Sequence, residues 1–152
     1  MTRKVNDKGR LPAFVPMFKT TIKTPAWRAL SHGARSLYLS LKNHFTGHNN
    51  GRIYLSQRCA REELGSGGFT QITRWYRELQ HFGFIVQTRG GTIGLNGRGT
   101  AAHWRLTELP YKDEQPTRDF DRWNGSPFRK DQKRTRKTES RSRNLEHSAP
   151  ES

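Results

Sequence analysis

Apolar residues recur at helical spacing in two long stretches of the chain. The first stretch follows Ser31, a residue type that favours the N-cap position, and its apolar residues are Ala34, Leu37, Tyr38, Leu41 and Phe45. The second follows Thr70, which we expect to be the N-cap, and runs to about His81. At about 100° per residue its apolar residues fall in one sector; they are Ile72, Trp75, Tyr76 and Leu79. Each stretch therefore predicts a helix with one buried face.

Two shorter helices are also indicated. Pro25 suits the first turn of a helix that carries Trp27 and Leu30, with Thr24 as its N-cap. Ser56 precedes residues 57–64, in which Ala60 and Leu64 are predicted to face inward, and the glycine-containing segment 65–68 ends this helix. Prolines punctuate residues 11–24, which we expect to be extended.

Three segments have the alternation that is typical of strands, at residues 52–55, 84–88 and 103–109. Trp104 and Leu106 alternate with Arg105 and Thr107, and the glycine-rich segment 89–100 lies between the last two strands as a hairpin loop. The order is helix, strand, helix, glycine turn, helix and hairpin. This order predicts an α+β fold, a winged helix-turn-helix domain with three to four helices and a β-hairpin wing.

Composition divides the 152 residues into four parts. Residues 11–109 hold 24 of the 28 Leu, Ile, Val and Phe residues and can form a small core. Residues 1–10 are expected to be a disordered arm, and residues 129–152 a disordered, basic tail that is either solvated or adds nonspecific phosphate contacts. Between them, residues 110–128 contain Phe120 and Trp123. We expect this segment to be an aromatic arm that docks on the domain, the alternative being an exposed partner-binding motif.

Several classes of protein are excluded by the pattern. No apolar run is long enough to span a membrane, and the start of the chain lacks a clean signal-peptide pattern. Cys59 is the only cysteine, so an intrachain disulfide is impossible, and we expect its thiol to be a small core residue. The carboxylates after residue 110 alternate with arginines, as surface ion pairs do. No nucleophile, metal-ligand or nucleotide motif is present, which indicates neither an enzyme nor a cofactor.

Charge points to nucleic acid as the partner. The net charge is +15, and residues 1–111 carry +12 of it. The face of the second long helix opposite its apolar sector is basic and rich in hydrogen-bond donors. Residues expected to contact base edges in the major groove of double-stranded DNA are Gln71, Thr73, Arg74 and Arg77. Residues expected to contact phosphates are Arg52, Arg58, Arg61, Thr70 and His81, and residues expected to act from the wing are Arg89 and Arg98.

Four segments carry a resemblance to a known group: PAWRALSHGARSLYLSL, NNGRIYLSQRCAREELG, TQITRWYRELQHFGFIVQTRGG and AHWRLTELPY. They resemble uncharacterised, phage- or plasmid-related winged helix-turn-helix proteins of alphaproteobacteria, over about residues 11–128. The resemblance implies a bacterial, cytoplasmic, nucleoid-associated DNA-binding protein. The turn GSGGF departs from the commoner type by about one residue. The sequence therefore predicts the first residue of the recognition helix to within one position.

Three functional hypotheses follow. The first is a sequence-specific binder of double-stranded DNA that acts as a small transcriptional regulator of the phage or plasmid type. The second is a replication-initiation factor that binds origin repeats and recruits other proteins through its C-terminal tail. The third is a protein-interaction module. No heptad pattern decides between a monomer and a homodimer.

Overall fold

The computed structural model describes residues 11–91 and 101–129, which form an α+β domain. Its five α-helices are α1 (Lys19–Ile22), α2 (Pro25–Ala29), α3 (His32–Asn43), α4 (Gln57–Leu64) and α5 (Phe69–His81). Its three strands are β1 (Ile53–Tyr54), β2 (Ile85–Arg89) and β3 (His103–Leu106), and a 3₁₀ helix covers Asp119–Arg122. The expected α+β class is therefore confirmed.

Local capping explains where three of the helices begin. The hydroxyls of Thr24, Ser31 and Ser56 accept hydrogen bonds from the backbone N–H groups that lie three residues later, at 3.2, 3.3 and 3.1 Å. Gly65 ends α4 in the left-handed region, with φ of +66°. These caps confirm the starts that the sequence predicts for α2, α3 and α4. Two ends were predicted too late, because α2 ends at Ala29, before Leu30, and α3 ends at Asn43, before Phe45.

Two features of the helices differ from expectation. The N-cap of α5 is Gly68, so Thr70 is not the cap and lies inside the first turn. The reason is that the glycine turn is complete at Gly68, whose extended backbone lets the helix start at Phe69. Cys59 is exposed and not part of the core, because it precedes the buried Ala60 and is turned about 100° away from it.

Residues 11–24 are also not wholly extended, since α1 forms one helical turn within them. The Thr21 hydroxyl in this turn donates to a carboxylate oxygen of Glu108, 2.9 Å away and 87 residues later in the chain. Contacts with a distant residue thus support a helix of four residues that has no side-chain cap.

The sheet is antiparallel with strand order β1, β3, β2. Ile53 pairs with Trp104 and Ile85 with Leu106, so these buried side chains share one face. An irregularity in β2 falls between Gln87 and Arg89. The arrangement of helices and strands is compatible with a winged-helix-like fold. The segment 92–100, which holds Arg98 of the predicted loop, lies outside the described residues, as do the arm 1–10 and positions 130–152 of the tail.

The core lies between the sheet and helices α3 and α5. All four residues of the predicted apolar sector of α5 are buried in it, as are the first four of α3. At the crossing of the two helices, Gly33 is so close to the indole of Trp75 that a Cβ would lie 2.0 Å from its Cε2. This glycine therefore sets how closely α5 approaches α3.

We expect Gly33→Ala to lower the free energy of unfolding by about 1–3 kcal/mol, because the added methyl group overlaps the Trp75 ring and forces the helices apart. Gly90→Ala is the matched control, since among residues 11–91 and 101–129 the only neighbour within 4 Å of its added Cβ is the Gln87 amide nitrogen at 3.9 Å. Urea denaturation of both variants measures the difference. Equal stabilities would contradict the close contact.

A buried polar network joins the N-terminal helix to the end of the sheet. The Glu108 carboxylate accepts hydrogen bonds from Thr21, from the Tyr38 hydroxyl at 2.5 Å and from the Lys42 ammonium at 2.9 Å. The side chains of Lys42 and Glu108 are 2% and 0% exposed. Every polar group in this network has a partner, so its burial is compensated.

Two buried tyrosines make the free energy of unfolding depend on pH in the alkaline range. Burial, and then the neighbouring Glu108, raise the pKa of Tyr38 well above its ordinary value of 10.0. Burial also raises the pKa of Tyr76. Above pH 10 the unfolded chain releases these protons while the folded chain retains them, so ionisation favours unfolding.

We therefore expect the free energy of unfolding contributed by these tyrosines to be constant below about pH 9 and to fall above pH 10. The expected slope is up to about 1.4 kcal/mol per pH unit for each tyrosine. Urea denaturation between pH 8 and 11 measures it. Tyr76→Phe should remove one tyrosine's share of the slope, and an unchanged slope in Tyr38→Phe/Tyr76→Phe would contradict the assignment.

The segment after β3 packs against the domain. The Phe120 ring is buried and stacks on Phe84, with centroids 4.7 Å apart and planes 8° apart. Trp123 meets Phe82 edge to face at 5.0 Å. At Gly83 a Cβ would lie 2.7 Å from the backbone of the 3₁₀ helix. These contacts favour docking on the domain over an exposed partner-binding motif.

Candidate nucleic-acid interface

Helix α5 is held on the core by its apolar side. The Tyr76 ring stacks on Trp104 of β3 with centroids 4.9 Å apart, and its hydroxyl donates to the Leu55 carbonyl at 2.6 Å. Trp75 and Tyr76 thus pack in the core. Each is only 6% exposed, which leaves no free ring face for a base. The opposite side of α5 is consequently turned outward.

The outward side presents part of the predicted base-contact set. Gln71 and Arg77 are exposed, whereas Thr73 and Arg74 are partly buried. The Thr73 hydroxyl donates to the Phe69 carbonyl at 2.9 Å and accepts from the Gln57 amide at 2.7 Å. Gln71 and Arg77 are therefore the freest donors of the set, while Thr73 helps to connect α4 with α5.

Arg74 lies at the border between α5 and the docked segment. It lines a groove of about 490 Å³ together with Glu78, Phe82 and Trp123. Glu78 itself is buried and accepts from the backbone N–H of Ser31 at 2.5 Å and from its hydroxyl at 2.8 Å. The Glu78 carboxylate thus bonds to the start of α3, and it forms no ion pair with Arg74.

A cleft of about 570 Å³ opens at the N-terminus of α5. Arg58, Arg61 and Phe69 line it, and the Arg61 guanidinium lies 5.6 Å from the centre of the Phe69 ring. Gly68 provides no side-chain cap, so the first N–H groups of α5 lack the hydroxyl partner that α2, α3 and α4 have. Thr70, in the same turn, is exposed. A helix N-terminus beside a guanidinium favours a phosphate group.

Arg58 differs from the other cations of this region. Its Nε lies 3.3 Å from a carboxylate oxygen of Glu62, with both side chains largely exposed. Among residues 11–91 and 101–129, none of Arg52, Arg61, Arg74, Arg77 and Arg89 forms an ion pair. Unpaired guanidinium groups attract an external polyanion without first losing an internal carboxylate partner.

His81, at the other end of α5, contacts the docked segment. Its Nε2 donates to the Ser126 carbonyl at 2.8 Å, and its ring centre lies 5.7 Å from that of Phe128. One ring nitrogen of His81, a residue expected to contact a phosphate, is therefore already bonded to the docked segment.

Arg52 and Arg89 lie on the sheet side of the domain. Arg52 is exposed directly before β1, and Arg89 is exposed at the end of β2, where it pairs with His103. Arg98 falls in the segment that the structure does not describe. The predicted contact residues thus divide between a helix surface, formed by the outward side of α5 and the adjoining cleft, and the sheet.

Sequence reasoning missed Gln57, Phe69 and Glu78. Gln57 is the first residue of α4 and Phe69 is the first residue of α5. The departure of the turn GSGGF from the commoner type was the signal for Phe69. Glu78 lies about 80° from the Thr70 direction, beside the basic side of α5, and no local pattern showed that it caps another helix.

Within the described ranges no group of three or more His, Cys, Asp or Glu residues is placed to hold a metal ion. None of the helices in those ranges has the length and apolar character needed to cross a membrane. Comparisons with protein-family models, curated protein sequences and solved structures gave no match.

Proposed function

We propose that this protein binds double-stranded DNA sequence-specifically as a winged helix-turn-helix protein and acts as a small bacterial transcriptional regulator of the phage or plasmid type. In this proposal α5 is the recognition helix and enters the major groove. No cofactor or bond-breaking chemistry is required.

The observation that carries the proposal is the two-sided character of α5. One side is anchored by Trp75, Tyr76 and their neighbours, so the helix has a defined orientation. The other side presents Gln71 and Arg77, which can form paired hydrogen bonds with adenine and guanine edges respectively. A rigid helix with free donors suits direct readout of a major groove of about 12 Å.

The cleft before α5 supports the same orientation. In this proposal Arg61 and the first N–H groups of α5, which adjoin the same cleft, hold one backbone phosphate and so position the helix in register with the bases. The charge of the chain, +15, adds an attraction to any nucleic acid that does not depend on sequence.

The test is selection from a randomised duplex library with the full-length protein, followed by a salt titration of the enriched sequence. The expected result is one enriched motif whose binding constant falls steeply with salt. The spacing of its half-sites would show whether the protein binds as a homodimer.

Binding without enrichment of any motif would contradict sequence-specific recognition and leave a nonspecific polyanion binder. Absence of duplex binding would contradict the proposal as a whole. The protein-interaction hypothesis would then be the one that remains to be pursued.

A further inference from the structure

The outer face of the sheet is a second candidate surface, on the side away from α5. The inner face is closed, since Ile53, Trp104 and Leu106 are buried against the helices. Strand alternation places Tyr54, which pairs with His103, on the outer face. The irregularity between Gln87 and Arg89 brings Arg89 opposite His103 as well, so the three strands contribute one transverse row of Tyr54, His103 and Arg89.

Two aromatic rings lie at this face, one exposed and one half-buried. Tyr54 is 62% exposed, and its ring centre lies 6.2 Å from that of His103 with the planes 30° apart. Tyr111 follows β3 and covers Gly51, where a Cβ would lie 2.2 Å from its ring. A tyrosine so exposed on a strand contributes little to the core and keeps one ring face free.

Two cations lie beside the Tyr111 ring, and a third is in the same row as Tyr54. The Arg105 guanidinium and the Lys112 ammonium each lie 5.2 Å from the centre of the Tyr111 ring, and Arg89 is exposed in the row of Tyr54. In the part of the chain that the structure describes, none of the three lies within 4.0 Å of a carboxylate. Asp113 and Glu114, which follow Lys112 in the chain, are exposed in the adjoining turn.

We propose that this outer face binds an unpaired stretch of polynucleotide. Tyr54 and Tyr111 would stack on successive bases, and Arg89, Arg105 and Lys112 would contact the phosphates between them. Aromatic rings and cations on one surface are the combination that recognises single strands, because the flat faces of the bases are accessible only when they are unstacked. The inference does not depend on duplex recognition by α5.

The experiment is fluorescence anisotropy of the full-length protein with labelled oligodeoxyuridylate and oligouridylate of about 16 nucleotides, and with a duplex of equal length. Tyr54→Ala should weaken single-strand binding about tenfold, and Tyr54→Phe, which keeps the ring, should bind like the unaltered protein. Arg105→Ala should weaken it further and lower the salt slope by about 0.7. Comparison of the two oligonucleotides shows whether the ribose hydroxyl contributes.

A second measurement locates the contact directly. Oligonucleotides that carry 5-bromouracil are crosslinked by light, and the modified peptides are mapped; crosslinks at Tyr54 or Tyr111 are expected. Crosslinks only elsewhere, or single-strand binding that is unchanged in Tyr54→Ala/Arg105→Ala, would overturn the proposal.

The two proposals fail separately. Arg74→Ala/Arg77→Ala should keep single-strand binding even where duplex recognition is lost, because those side chains lie on α5. If this variant lost both activities in equal measure, the sheet would not be a distinct site. Binding of both duplex and unpaired strands would favour the replication-initiation hypothesis over the regulator hypothesis, because initiation separates the strands.

Discussion

Glu108→Ala is expected to lower the free energy of unfolding by about 3–5 kcal/mol, because it leaves a buried cation without a partner. The Lys42 ammonium, whose side chain is 2% exposed, would lose the carboxylate 2.9 Å away, and the hydroxyls of Thr21 and Tyr38 would lose their acceptor. Urea denaturation followed by tryptophan fluorescence measures the change.

Glu62→Ala is the matched control for this prediction. Glu62 also pairs with a basic residue, Arg58, but both side chains are mostly in water, so we expect a change below about 1 kcal/mol. Lys42→Met should cost less than Glu108→Ala, since the carboxylate would keep its two hydroxyl donors. If Glu108→Ala lowered the free energy of unfolding by less than about 1 kcal/mol, the buried network would not be important for stability.

Arg74→Ala/Arg77→Ala is expected to abolish preferential binding to the selected DNA motif. A bidentate contact between a side chain and a base contributes about 1–3 kcal/mol, so the loss of two should weaken binding to the motif by at least about 30-fold. Binding to random duplex should fall far less, because it depends on total charge. The ratio of the two affinities, measured by anisotropy at one salt concentration, is the readout.

Lys19→Ala/Lys23→Ala controls for the loss of two positive charges. Both lysines are exposed on or next to α1, a helix that contacts Glu108 through Thr21. This variant should keep the affinity ratio while losing some overall affinity. Retained specificity in the arginine variant would contradict the assignment of α5 as the recognition helix.

Local patterns were sufficient to predict most of the helices. Thr24, Ser31 and Ser56 each cap a helix through a bond to a residue three positions away, and the buried side of α5 follows from its 3.6-residue period. These signals are short-range, so they can be read without the fold. The predicted start of α5 was two residues too late, because Gly68, which has no side chain, takes the N-cap position instead of a capping hydroxyl.

The division of the candidate DNA contacts needed the structure. From the sequence, Arg77 was expected to contact base edges, Arg52 and Arg61 to contact phosphates, and Arg89 to act from the wing on the same DNA. The strand register and the irregularity in β2 instead assign Arg89 to the outer sheet face, because one extra residue changes which side of a strand a side chain occupies. The contacts of His81 with the docked segment likewise could not be predicted from a local sequence pattern.

The sequence by itself therefore determined the helices with side-chain caps, the buried sides of α3 and α5, and the basic character of the chain. Tertiary structure alone decided the single turn of α1, the Glu108 network and the capping of α3 by Glu78. In each of these, polar groups that are 47 to 87 residues apart complete one another's hydrogen bonds. A buried carboxylate is stable only where its donors converge, and that convergence exists only once the chain has folded.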